Sequence, residues 1–165
     1  MNRSVYTVEF TNKAATAAMA DFDFFEIDPA AEKPVEVVGL FLGQETAEGD
    51  ALEDWVRLAV LRFNGGTFTS GGEVSTTPRP LDPSAGAASF AAEAFNANGT
   101  VASTSGSTFR LHSETFNIRA GYQIILPPEM RWQCDSAANS ALVVRCESTL
   151  DATTNFSGTL YVREL

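Results

Sequence analysis

Phe116-Asn117-Ile118-Arg119-Ala120-Gly121-Tyr122-Gln123-Ile124-Ile125-Leu126-Pro127-Pro128-Glu129 is the stretch that decides how the chain is read. Phe116, Ile118 and Ala120 alternate with Asn117 and Arg119, Gly121 breaks the pattern, and Tyr122, Ile124 and Leu126 resume it until two prolines end the run. Alternation of period two places successive side chains on opposite faces, so the stretch predicts a strand pair joined by a tight turn and ending hard.

Similar runs lie on either side. Ser4 to Thr11 sets Tyr6, Val8 and Phe10 against Val5, Thr7 and Glu9, a first strand with one apolar face. Asp21 to Asp28 is a second, closed by Asp28-Pro29, and Pro34 to Leu42 is a third, apolar on both sides after Glu36 and therefore central and well covered. Trp55 to Phe63 is β-rich, with Arg57 and Arg62 on opposite faces, so at least one of them should reach a sheet edge or a neighbouring subunit. Ser89 to Phe95, Thr108 to Ser113, Met130 to Cys134, Ala141 to Glu147 and Phe156 to Glu164 complete the set. The Ala-rich Asn12 to Ala20 has room for one helical turn and is too short for a stable helix. Short strands punctuated by turn signals predict an all-β fold, an antiparallel β-sandwich of about eight to ten strands with jelly roll the favoured topology.

Two long irregular stretches interrupt it. Asn64 to Ala88 carries Gly65-Gly66, Gly71-Gly72, Pro78-Arg79-Pro80 and Asp82-Pro83, and connections of this length are uncommon unless they are functional or mobile. Its Thr77-Pro78-Arg79-Pro80-Leu81 segment is stiff and expected to dock. The second, Asn96 to Ser107, has a turn signal at Asn98-Gly99.

At 165 residues the chain is read as one domain, long enough to bury roughly 70% of its unfolded surface without a metal or disulfide staple. The balance of 11 basic and 21 acidic residues, net charge -10, argues against nucleic acid and anionic membrane as partners. Lys13 and Lys33 are the only lysines, so positive charge comes mostly as single arginines, suited to specific carboxylate pairing or to plain solvation at strand edges. The start of the chain leads into a strand rather than an apolar run, which predicts no signal peptide. Were Trp132–Cys134 and Ala141–Cys146 a hairpin, Cys146 would lie on the order of 16 Å from Cys134 at ~3.3 Å per residue. A disulfide needs its Cα atoms within about 7 Å, so two free thiols are expected.

Residues with catalytic potential are few. The single histidine, His112, sits on an alternating strand beside Arg110. Gln44 to Asp54 holds Glu45, Glu48, Asp50, Glu53 and Asp54, but lacks EF-hand spacing and reads as a solvated acidic loop. No nucleophile elbow, phosphate-cradling loop or Cys-x-x-Cys pair is present. A glycosidase needs only two carboxylates, and Glu53-Asp54-Trp55 is the one acidic pair beside an aromatic. The expectation is a non-enzymatic chain with no cofactor and no metal. Arg119 to Pro127 resembles the turn, strand and proline of cupin barrels, but cupins hold metal with several histidines, which this chain cannot supply.

Several segments together resemble small structural proteins of tailed bacteriophages, in particular capsid decoration proteins: Asp23 to Ile27, Lys33 to Leu40, Thr77 to Leu81, Phe116 to Tyr122 with Leu126 to Glu129, and Ser157 to Leu165. The resemblance implies a cement protein on the outer capsid surface of the virion, assembled in the bacterial host cytoplasm. It implies the major capsid protein as partner and, commonly, a homotrimer at local threefold positions. Interface candidates are Arg57, Thr77, Pro78, Arg79, Pro80 and Arg119, with Met1 to Ser4 as a further contact. Deleting Gly71 to Pro83 is expected to leave a folded domain with lower capsid occupancy. The alternative is a carbohydrate- or receptor-binding module of a phage tail, with Trp55, Tyr122, Trp132 and Tyr161 as stacking platforms.

Overall fold

A computed structural model describes residues 4–45, 54–137 and 139–165. Among them run β1 (Val5–Ala15), β2 (Phe22–Asp28), β3 (Val35–Gln44), β4 (Trp55–Asn64), β5 (Phe68–Thr69), β6 (Val74–Ser75), β7 (Arg79–Pro80), β8 (Ala91–Ala94), β9 (Ser103–Thr104), β10 (Ser107–Asn117), β11 (Tyr122–Ile125), β12 (Trp132–Cys134), β13 (Ala141–Cys146) and β14 (Thr154–Glu164). One sheet, A, has the order β11-β3-β14-β1-β7, with β12 also on β3; the other, B, has the order β10-β4-β13-β2-β8-β6. Every pairing is antiparallel, and β5 with β9 forms a separate ribbon. The fold is therefore an all-β sandwich. It holds fourteen described strands rather than eight to ten, because two-residue strands β5, β6, β7 and β9 form inside the stretches read as loops.

The core follows from the alternation. Tyr6, Val8 and Phe10 of β1, Leu40 and Leu42 of β3, and Phe156, Leu160 and Val162 of β14 point inward from sheet A. They meet Phe22, Phe24, Val56, Leu58, Val60, Leu142 and Val144 of sheet B. Five phenylalanines form its centre, with ring centroids 4.8 Å apart for Phe22–Phe95, 5.0 Å for Phe22–Phe24, 5.3 Å for Phe24–Phe156 and 5.7 Å for Phe10–Phe95. Gly158 makes space for them, since a Cβ there would lie 2.7 Å from Phe10 and 2.8 Å from Leu42.

The strand pair predicted at 116–129 is corrected in its partners. β10 and β11 are strands, and Gly121 between them has the positive φ of +68° that glycine tolerates. They do not pair with each other: β10 pairs β4 in sheet B and β11 pairs β3 in sheet A. The turn is thus a crossing between sheets, and Phe116, Ile118, Tyr122 and Leu126 are buried on the way. The hairpin considered for Trp132 to Cys146 is replaced by a second crossing, because β12 pairs β3 while β13 lies between β2 and β4. Cys134 and Cys146 are both free and buried. Nor does the Ala-rich segment turn helical. β1 runs on to Ala15 by pairing Lys13 with Phe156, after a bulge in which Asn12 takes a φ of +50°.

Sheet B is covered over the middle of its outer side, while Trp55 and Arg57 of β4 and Arg110, Ser113 and Thr115 of β10 stay exposed. Ala59, Leu61 and Phe63 of β4 and Ala141 and Val143 of β13 form a second buried cluster with Ala102, against which Phe68 packs. The stretches 64–88 and 96–107 supply that cover, and the first of them also ties the sandwich edges. β6 extends sheet B beside β8, Thr76 N donates to Ala92 O at 2.9 Å, and β7 pairs Arg79 and Pro80 with Thr7 and Tyr6 at the edge of sheet A. The expected docking of Thr77 to Leu81 is observed, with Leu81 N donating to Val5 O at 2.8 Å. Because the segment closes both sheets, removing Gly71 to Pro83 would strip two strand edges, and an unchanged fold is no longer the expectation for that deletion.

Candidate functional site

The outer side of sheet A is the counterpart that no described segment covers. Thr7 and Glu9 of β1, Phe41 and Gly43 of β3, Thr159 and Tyr161 of β14 and Gln123 of β11 all fall outward by the same alternation that buries their neighbours. The result is a broad polar surface with a half-exposed aromatic pair, Phe41 and Tyr161, packed edge to face at 5.6 Å. Two shallow grooves run across it, one of about 550 Å³ bordered by Glu9, Phe41, Gln44, Arg119 and Gln123, the other of about 380 Å³ bordered by Thr7, Glu9, Thr77 and Arg79. They share Glu9, Phe10 and Thr11, so they are neighbouring parts of one surface.

Each flank is positioned by a short turn or added strand. On one side Asn117 Oδ1 accepts the Arg119 amide at 2.9 Å, and Asn117 O accepts Ala120 N at 3.0 Å. Gly121 presses this turn so close to β3 that a Cβ would lie 3.0 Å from Leu42 O. On the other side the β7 pairing holds Thr77 and Arg79 exposed, with Pro78 and Pro80 half-buried beneath them. Large apolar side chains stand at both flanks, Leu81 58% exposed after β7 and Ile125 68% exposed on β11.

The structure therefore brings Thr77, Pro78, Arg79, Pro80 and Arg119 to the margins of one surface and leaves Arg57 out of it. Arg57 is exposed on β4 in sheet B, where its amide donates to Ser148 Oγ at 3.1 Å and its carbonyl accepts Glu147 N at 2.8 Å. Met1 to Arg3 and Thr46 to Glu53, and with them most of the acidic loop, lie outside the described residues. Asp54 is buried and receives the Asp151 amide at 3.0 and 3.2 Å, a structural use of its carboxylate.

The remaining chemistry-bearing residues are built into the body. His112 Nε2 lies 2.9 Å from Tyr122 Oη, which donates to Glu114 Oε2 at 3.1 Å, with the Trp132 ring 5.2 Å from the imidazole. This bridge joins β10 of sheet B to β11 of sheet A, and burial followed by the nearby Glu114 charge raises the phenol above its usual range. Tyr122 and Trp132 are buried, leaving Trp55 and Tyr161 as the exposed and half-exposed members of the four supposed platforms. Glu36 is buried between Arg131, 2.8 Å away, and Arg163. Among the described residues no group of His, Cys, Asp or Glu side chains is arranged to hold a metal ion.

Burial pushes the Cys134 thiol up to about 12 and the Cys146 thiol up to about 11. A thiol held protonated and out of solvent is inert. The folded chain is thus expected to leave both cysteines unlabelled by a thiol reagent that labels both in denaturant, as counted by intact mass. Labelling of the native chain at a comparable rate would show that the core opens there.

Comparison with protein-family models, curated proteins and solved structures finds no match. The functional reading accordingly rests on the surface itself.

Proposed function

We propose that the chain is a non-enzymatic decoration, or cement, protein of a tailed-phage head, docking on the major capsid protein through the open outer side of sheet A. The observation that carries this is the contrast between the two sheets. The chain's own long segments cover the middle of sheet B over β4 and β13, while sheet A offers a wide, shallow surface with Arg79 and Leu81 at one margin and Arg119 and Ile125 at the other. Such a surface suits a flat macromolecular partner better than an enclosed small molecule. The strand order supports the jelly-roll reading: β11-β3-β14-β1 faces β10-β4-β13-β2, so the chain alternates between sheets as a jelly roll does.

In this reading the protein binds the assembled lattice and not the free capsid subunit, so it stabilises the shell by mass action. A homotrimer would present three such surfaces and gain avidity from modest single contacts. The net charge of -10 fits an outer location away from packaged DNA. Arg79→Glu and Arg119→Glu are each expected to weaken capsid binding roughly tenfold or more, by reversing charge at the interface. Arg57→Glu, on the other sheet, should leave it unchanged. Co-sedimentation of each variant with undecorated heads tests this; equal losses for all three would place the contact elsewhere. If instead the surface binds glycans, the Phe41–Tyr161 pair is the available platform. Specific glycan binding lost in Tyr161→Ala, without any affinity for heads, would favour that reading.

A further inference from the structure

The segment that covers sheet B is fastened by an unusual set of groups. Ser70 donates to Glu93 Oε2 at 2.6 Å, and Gly71 N donates to Glu26 Oε1 at 3.0 Å. Glu73 Oε2 accepts Asn96 N at 2.7 Å, and Asn98 Nδ2 donates to the Gly71 and Gly72 carbonyls at 2.7 and 3.0 Å. Gly71 admits nothing larger, since a Cβ would lie 2.7 Å from Thr100 O and 2.8 Å from Glu26 Oε1. Glu26 and Glu73 are 3% and 6% exposed, and Glu73 Oε1 has no hydrogen-bond partner among the described residues.

Charge counting makes this arrangement untenable when every carboxylate is ionised. Facing it are Asp23, Glu26 and Asp28 from β2, Glu93 from β8 and Glu73 from the segment itself, with Asp21 just before β2. Among the described residues Arg145 of β13 is the one cation that reaches in, and it is committed to Asp23 at 2.6 and 3.0 Å and to Ala102 O at 2.6 Å. A buried carboxylate without a cation takes up a proton instead.

We propose that residues 67–76 are held on sheet B by a proton-dependent latch: with Glu26 and Glu73 protonated the Ser70–Glu73 turn stays docked, and their ionisation releases it while the sandwich remains folded. Burial, with the neighbouring carboxylates adding to it, raises Glu26 to about 7 and Glu73 to about 8, from 4.5 for both. The docked state therefore binds more protons than the released one. Docking is strongest below about pH 4.5 and weakens progressively as pH rises from there to about 8, above which both groups are ionised in either state. Release would expose the outer side of sheet B and free the edge of β8, a change in surface that does not depend on what sheet A binds.

Amide hydrogen exchange on the full chain, with chelator present and expressed as protection factors, tests the latch. Between about pH 6 and about pH 9 the protection of Gly71 and Asn96 is expected to fall at least tenfold while that of the β13 amides holds. In Glu26→Gln/Glu73→Gln the profile should be flat. If that pair fails to fold, Glu73→Gln alone should remove the step at higher pH. Constant protection of Gly71 in the wild type, equal loss in β13, or release persisting in a folded double variant would each overturn the proposal.

Discussion

Phe24→Ala is expected to lower the free energy of unfolding by about 3–5 kcal/mol. Phe24 is fully buried and packs against the rings of Phe22 in its own strand and of Phe10, Phe95 and Phe156, which come from three other places in the chain. Its loss removes a large apolar surface and leaves a cavity that strands fixed by ladders on both sides cannot close. Trp55→Ala is the matched control. Trp55 is 57% exposed, so its removal should cost within about 0.5 kcal/mol. Urea unfolding of the two variants separates them, and similar midpoints would mean that the aromatic centre is not where the sandwich is held.

Arg145→Ala should be comparably damaging for a different reason. Asp23 is fully buried, and besides pairing with Arg145 it accepts the Ala102 amide at 2.6 Å. Burial already raises the Asp23 carboxyl above its usual range, with Arg145 opposing that rise. Removing one partner of a buried ion pair costs about 3–5 kcal/mol because the other charge is stranded. Here the Ala102 carbonyl loses its donor as well. The stranded carboxyl can protonate, so the deficit should be largest near neutral pH and shrink toward acid. A deficit that does not vary with pH would indicate lost packing of the arginine stem rather than a lost cation.

The strand positions were largely legible because alternation and turn residues are local signals. β2, β3 and β4 begin and end within a few residues of where Asp28-Pro29, Pro34 and the apolar runs place them. Partners were not legible. Gly121 marks a reversal, but nothing in 116–129 says whether the second strand returns beside the first or crosses to the other sheet. That choice is made by β3 and β4, each of which offers a free edge to a different strand. The burial of Asp23 and Glu26 was hidden for a similar reason, since the cover comes from residues far along the chain. A hint was present: Leu58 to Leu61 and Ala141 to Val144 are apolar on both faces, which calls for cover on both sides of sheet B there. Of the interface candidates, Arg79 and Arg119 were found by their rigid turns and do border one surface. Arg57, chosen by strand face alone, does not.

The most direct test of the proposed function is to quantify the chain in purified phage heads and locate it by cryo-electron microscopy. The account predicts copies in fixed proportion to the major capsid protein, on the outer shell, with the Thr7–Phe41–Thr159 side of sheet A against the lattice and Arg79 and Arg119 at the contact. Absence from the heads, a few copies confined to the tail, or attachment with sheet A turned to solvent would contradict it.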